Sequence, residues 1–249
     1  VPHHRGVGPG VAFAIEMRKR IGIPQGLIAC AHGGTRMKQW DPALKKQGGR
    51  SFYGAMLRRV RKNGGRVAGV VWYQGESDAN LTESPEFTPR VIRMVRAMRR
   101  DFGDARLPIA MVQIGCVANW SVESTPYWNS IQEQQRRLPS VLPRCTVVPA
   151  IDLALDDGIH IQGADQQRLG VRLAGAMDVL RRGRTAGLPP IEVKSVETVE
   201  NPLSRWTDII IRFANVVGRL QSDGRASGFS VRGGEDTLAA FRTDVEGDR

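Results

Sequence analysis

The chain has 249 residues, 41% of them hydrophobic and 24% charged, with a formal net charge of +11. That length suits one large domain or a medium domain with a small companion, and the apolar share allows a sizeable core. No apolar run approaches the ~20 residues of a membrane span, so no helical span is expected within these residues. The 36 basic residues comprise 30 arginines and six lysines. They are spread along the chain, mostly on the polar faces of predicted helices such as Arg90 to Arg100, and no nucleic-acid recognition motif accompanies them. An arginine-favouring composition therefore explains the charge better than nucleic-acid binding. Cys30, Cys116 and Cys145 are odd in number and lack C-x-x-C spacing. This argues against a zinc site and a disulfide framework, while leaving one disulfide open. The first residues, Val1 to Gly6, lack the charged and apolar regions of a signal peptide and read as mid-chain loop. A signal, if the protein has one, is expected upstream, and would make it secreted or periplasmic.

Residues 10–182 alternate between helical and strand patterns. Val11 to Arg20 has helical periodicity and is followed by the apolar run Gly26-Leu27-Ile28-Ala29-Cys30, which reads as a strand. Phe52 to Arg61 is an amphipathic helix, and Val67 to Tyr73 a β-rich run flanked by glycine. Val91 to Phe102 reads as a basic amphipathic helix, Leu107 to Ile114 as a strand, and Trp128 to Leu138 as a helix. Cys145 to Ile151 is extended and Ala164 to Arg182 helical. Alternation of helices with nearly continuous apolar strands predicts a parallel sheet covered on both faces. After Arg184 the texture changes. Gly187-Leu188-Pro189-Pro190 reads as a linker, and Ile191 to Val199, Trp206 to Phe213 and Gly228 to Val231 as short strands. The expected organisation is one domain over 1–184, then a linker and a partial antiparallel β module over 185–249.

Ligands of open parallel sheets bind outside the carboxyl ends of the strands. Three polar loops follow predicted strands directly. In Asp156-Asp157-Gly158-Ile159-His160, the three-residue spacing lets Asp157 present its carboxylate to His160, fixing the tautomer of a general base. Asp156 and Asp152 fit the orienting role less well, and the competing reading is a surface turn capped by Asp157. In Ala31-His32-Gly33-Gly34-Thr35, Gly33 and Gly34 can expose backbone N–H groups to an oxyanion or simply form a tight turn. His32 in such a loop reads as structural. In Gln74-Gly75-Glu76-Ser77-Asp78, the Gln74 amide can donate to an oxyanion, and Glu76 can hold substrate hydroxyls or support the loop. Ser77 does not sit in a G-x-S-x-G elbow, which argues against it as nucleophile.

Taken together, these strings resemble the sialate O-acetylesterase-like branch (carbohydrate esterase family 6) of the SGNH hydrolases. The matching residues are Gly8-Pro9-Gly10, Gly26 to Thr35 with Trp40, Trp72 to Asp78, Asp157-Gly158-Ile159-His160 and Gln167-Arg168-Leu169-Gly170. They cover roughly residues 6–182, and the part after them is more weakly similar to a β module that follows this domain in some relatives. The resemblance implies a flavodoxin-like α/β/α sandwich and a Ser-His-Asp acyl-enzyme mechanism on an acetylated carbohydrate. His160 would shuttle the proton, Asp157 orient it, and Gly33, Gly34 and Gln74 line the oxyanion hole. It implies no cofactor and no metal; no nucleic-acid or membrane partner is expected, on the charge and hydropathy grounds above.

One departure is large. The family's serine lies in a G-Q-S-N-like string after the first strand of its sheet, upstream of every string quoted above. Here no serine precedes Ser51 and no such string occurs. The expectation is a chain whose nucleophile lies upstream and which is inactive by itself. The alternative is a non-catalytic, carbohydrate-binding relative.

Overall fold

The structure is a computed structural model. It describes residues 8–118, 121, 123–183, 191–200, 206–216, 218–222, 225–226, 229, 231–233, 236–238 and 243–245. The chain divides into two compact units, Val1–Gly187 and Leu188–Arg249. The Gly187-Leu188-Pro189-Pro190 linker, the residues before Gly8 and Gly228 of the last expected strand lie outside the described residues.

In the first unit, three parallel strands form a sheet in the order β1 (Val70–Trp72), β2 (Ile109–Gln113), β3 (Cys145–Pro149). Ile109 faces Val70 on one side and Cys145 on the other. Successive residues of a strand point to opposite faces, and here each face has its own core. Ile109, Met111 and Cys145, with Val70, Trp72 and Val147 beside them, join the core formed with α2 (Phe52–Lys62), α3 (Phe87–Asp101) and α4 (Thr125–Val141). Ala110, Val112 and Val148 join the other core, formed with α1 (Gly10–Ile21) and α5 (Gly163–Arg181). The result is a three-layer α/β/α sandwich. Among the described residues, no helix is long and apolar enough to cross a membrane.

Local chemistry explains the helix ends. α1 stops at Gly22, whose left-handed φ of 73° lets its N–H reach Arg18 O at 2.8 Å. α2 starts at Ser51, whose hydroxyl accepts from Gly54 N (3.0 Å) and donates to Leu44 O (2.8 Å). That hydroxyl is fully used by the cap. α3 begins four residues before the expected Val91, because Phe87 is buried one turn ahead of it. Not every arginine of α3 faces solvent. Arg99 is buried, and its guanidinium donates to Leu107 O (3.2 Å) and Pro143 O (2.5 Å), tying down the chain just before β2 and β3.

The expected strand Gly26–Cys30 is not one. An extended segment becomes a strand only where a neighbour's N–H and C=O groups meet it, and among the described residues it has no ladder partner. Ala29 O instead accepts from the Arg59 side chain at 2.8 Å, and Leu27 is half exposed. β1 is likewise paired on one side alone among the described residues, and its three residues are only partly buried. All three cysteines are unpaired, with Cys145 buried and its thiol pushed up to about 12 by that burial.

In the second unit, β4 (Glu192–Glu200) pairs antiparallel with β5 (Thr207–Ala214), with an irregularity between Val193 and Ser195. β6 (Val231–Gly233) pairs antiparallel with β7 (Asp236–Leu238). Val196, Trp206 and Ile209 are exposed, so the described ribbon does not bury its own apolar residues.

Candidate functional site

The Asp157–His160 loop is a small hairpin just before α5. Leu155 and Ile161 form an isolated bridge, Asp156 N donates to His160 O (2.8 Å), and Gln162 N donates to Ala154 O (2.9 Å). Its base is held by Asp165 of the first turn of α5, which accepts from Ala154 N at 2.7 Å. Leu155 and Ile161 pack into the α1/α5 core and Ile159 packs against the other one, so both cores anchor the loop.

At the tip, Asp157 Oδ1 accepts the N–H of Ile159 (2.8 Å) and of His160 (2.7 Å), while Oδ2 lies 2.7 Å from His160 Nδ1. These bonds, led by the His160 backbone N–H, hold the Asp157 carboxyl down at about 2. Asp157 is therefore an anion at any ordinary pH, and an anion at Nδ1 requires a proton there. Nε2 is left as the basic nitrogen. Among the described residues no serine or threonine hydroxyl hydrogen-bonds His160.

The Ala31–Thr35 loop is exposed except for Thr35, which is buried at its base. Thr35 Oγ1 donates to His32 O (3.0 Å) and accepts from Trp40 Nε1 (3.0 Å). Trp40 in turn stacks on Phe52 and meets Trp72 edge-on, with ring centroids 5.3 and 5.0 Å apart. Gly34 has φ +67°, a conformation that favours glycine. Neither the Gly33 nor the Gly34 N–H has a protein acceptor among the described residues, and a Cβ at either position would meet nothing within 4 Å. Two backbone donors of an exposed loop are thus left without a protein acceptor among the described residues. His32 does not join them; its Nδ1 lies 3.0 Å from Gly33 O and its ring rests on Phe52.

The Gln74 amide, expected to face an oxyanion, is engaged within the protein. Its Nε2 donates to Thr35 O (2.9 Å) and to Asp78 Oδ2 (2.5 Å), which uses both amide protons. Turning the amide over would set Oε1 against two oxygens, so this orientation is the sound one. In this arrangement Gln74 has no proton for an oxyanion and instead ties the glycine loop to its own. Asp78 is fully buried and also accepts from Met37 N at 3.0 Å; burial pushes its carboxyl up. Gln74→Ala should leave Thr35 O and Asp78 short of a buried donor, at a cost of about 1–3 kcal/mol. Urea unfolding tests this, and a variant as stable as its parent would contradict the tie.

Glu76 is partly buried, and that burial pushes its carboxyl up, against backbone hydrogen bonds at Glu76 and Gly75 that pull it down. Burial, and then the neighbouring Glu76, also push the Tyr73 phenol up. The Ser77 hydroxyl has no hydrogen-bond partner among the described residues, while its carbonyl accepts from Asn80 Nδ2 at 3.1 Å.

Two supports were not foreseen from sequence. Gln135 of α4 is buried, donates to Gln74 O (2.9 Å) and accepts from Ile114 N (2.9 Å), so one side chain holds the loops leaving β1 and β2. Asp78 is the other. The signal was the run Gln132-Glu133-Gln134-Gln135, where a helix places amides on its buried side. Gln132 likewise donates to Gly115 O at 2.9 Å.

Comparison with known proteins follows the same residues. The family described as "carbohydrate esterase, sialic acid-specific acetylesterase" matches residues 1–179. A probable carbohydrate esterase of Arabidopsis thaliana is 33% identical over 179 residues, 69% of this chain and 63% of that protein. The chain thus spans less than two thirds of the curated relative. The solved structure of that Arabidopsis protein superimposes with a TM-score of 0.61 at 32% identity, covering 71% of this chain and 70% of the other. A structure described as a novel carbohydrate acetylesterase from Xanthomonas citri has a TM-score of 0.73 at 24% identity, covering 96% of this chain and 55% of that one. At that identity the likeness is one of fold.

Proposed function

The chain belongs to the sialic acid-specific acetylesterase family of carbohydrate esterases, and from that premise we propose that its protein removes O-acetyl groups from carbohydrates by serine-type acyl transfer. A serine hydroxyl attacks the acetyl carbonyl carbon while His160 Nε2 takes the hydroxyl proton. The carbonyl oxygen becomes an oxyanion, met by the free N–H groups of Gly33 and Gly34. The tetrahedral intermediate collapses, the bond to the sugar oxygen breaks, and His160 returns its proton to that oxygen. Water, deprotonated by His160, then attacks the acetyl-serine carbonyl; the second tetrahedral intermediate collapses, the bond to the serine oxygen breaks, His160 returns its proton to that oxygen, and acetate leaves. Asp157 holds the imidazole tautomer and stabilises the imidazolium formed in each half. Glu76, on the loop after β1, is available to a substrate hydroxyl.

The observation that carries this reading is the 2.7 Å contact between Asp157 Oδ2 and His160 Nδ1, with the carboxylate ionised and Nε2 left as the base. We further propose that the serine comes from sequence preceding Val1, on a strand lying between Gly26–Cys30 and β1. Three observations support this. Among the described residues, no serine or threonine hydroxyl engages His160, β1 has an unpaired edge, and Gly26–Cys30 is extended without a ladder partner.

The test is acetate release from an acetylated xylo-oligosaccharide and from 4-nitrophenyl acetate, by residues 1–249 and by the chain extended through its natural upstream sequence. Activity in the extended protein, lost when a serine of the added segment becomes alanine, is the expected result. Sugar binding without acetate release in the extended protein would favour the second reading, a non-catalytic carbohydrate-binding relative.

A further inference from the structure

A cleft of about 530 Å³ opens between α3 and the 3₁₀ segment Pro42–Arg50, and none of its lining residues belongs to the three loops described above. Lys45, Arg93, Arg96 and Arg100 stand around it, against a single lining acid, Asp41. The arginines follow helical spacing and are all exposed. Their charges are only partly engaged by neighbours. Arg93 Nη2 is 3.8 Å from Asp41 Oδ2, a loose pair, and Asp41 also caps the 3₁₀ segment by accepting from Ala43 N at 2.9 Å. Lys45 is paired with Asp101 at 2.8 Å, where Tyr53 also donates. Arg96 and Arg100 make no ion pair among the described residues. The walls between the cations are apolar, made by Pro42, Ala43, Pro89, Ile92 and Ala97.

This combination selects a ligand class. Cations gathered in a concave site raise the local concentration of anions, and guanidinium groups grip a carboxylate by paired hydrogen bonds. Apolar aliphatic walls suit the C–H face of a sugar ring. Nucleobases would instead call for aromatic platforms, and no aromatic side chain lines the cleft. We propose that this cleft binds a uronate residue of an acidic oligosaccharide, with Arg96 and Arg100 on its carboxylate. The choice of a sugar as the carrier rests on the proposed carbohydrate esterase function.

Binding is measured directly, by calorimetric titration of the full-length protein with trigalacturonate, with neutral xylotriose and with a short single-stranded DNA. Trigalacturonate should bind best, and more weakly as salt rises. Arg96→Gln with Arg100→Gln should weaken it about 10- to 100-fold, with an unchanged melting temperature and unchanged hydrolysis of 4-nitrophenyl acetate. Equal affinity for xylotriose, tighter binding of the DNA, or unaltered affinity in the double variant would each overturn the proposal. Absence of trigalacturonate binding in a protein that releases acetate would sink the cleft alone. Trigalacturonate binding in a protein that never releases acetate would sink the esterase reading and leave the cleft standing.

Discussion

His160→Ala in the protein extended through its upstream sequence is expected to abolish nearly all acetate release, leaving only what the oxyanion donors and substrate binding supply. His160 acts in both halves of the proposed reaction, as base toward the serine and acid toward the sugar oxygen, then again toward water. Loss of the serine or the histidine of such a triad costs nearly as much as loss of the whole, because the members act as a unit. Asp157→Asn should cost less, about 10²–10⁴-fold in kcat, the upper end being what a buried orienter delivers. The pair here is open to solvent, with side-chain exposures of 78% for His160 and 56% for Asp157. Water therefore screens part of the charge effect, while control of the tautomer is lost in full. Steady-state rates on 4-nitrophenyl acetate measure both. A His160→Ala protein of near-parental kcat would remove the histidine from the mechanism.

The largest expected loss of stability comes from Gly170→Val. A Cβ at Gly170 would lie 2.5 Å from Pro9 O, 2.7 Å from Ala12 Cβ and 2.8 Å from Phe13 N. Two of these are backbone atoms of the turn that starts α1, so no side-chain rotation relieves the clash and the two helices must separate. Overpacking of this kind costs roughly 3 kcal/mol, occasionally more. For a protein of this size that is a fall in melting temperature of about 6–12 °C. Activity should fall too, because Asp165, one turn earlier on α5, holds Ala154 N at the base of the His160 hairpin. A calorimetric scan showing no change would mean that α1 and α5 are not packed as closely as described.

Gly170 also illustrates what was legible in the sequence. It stands in one of the strings that carried the family resemblance, yet its reason is steric and becomes visible only once α1 lies across α5. The alternation of helix and strand was readable because apolar runs such as Leu107 to Ile114 are buried on both faces and have no polar period. Gly26–Cys30 misled for the same cause: an apolar run reports burial potential, whereas a strand needs a partner. The Asp157–His160 contact was readable because three residues suffice to close it, within one turn of chain. Gln74 was expected to face an oxyanion, whereas its amide donates to Thr35 O and Asp78 Oδ2. Its acceptors, Thr35 O and Asp78, lie on one distant loop and one near neighbour, and nothing in local spacing reveals that both amide protons are taken. Asp78 and Gln135 escaped notice for a related reason. A buried polar side chain earns its place by satisfying backbone groups far away in sequence, and sequence shows the donor without the acceptor.

The most direct test of the account is covalent trapping in the extended protein. A fluorophosphonate reacts with a serine only where a base activates it, and intact-mass and peptide analysis then identify the residue. The account predicts one adduct, on a serine of the segment preceding Val1, formed rapidly in the parent and barely at all in His160→Ala. An adduct on Ser77 or Ser51, or labelling that proceeds equally well without His160, would contradict it.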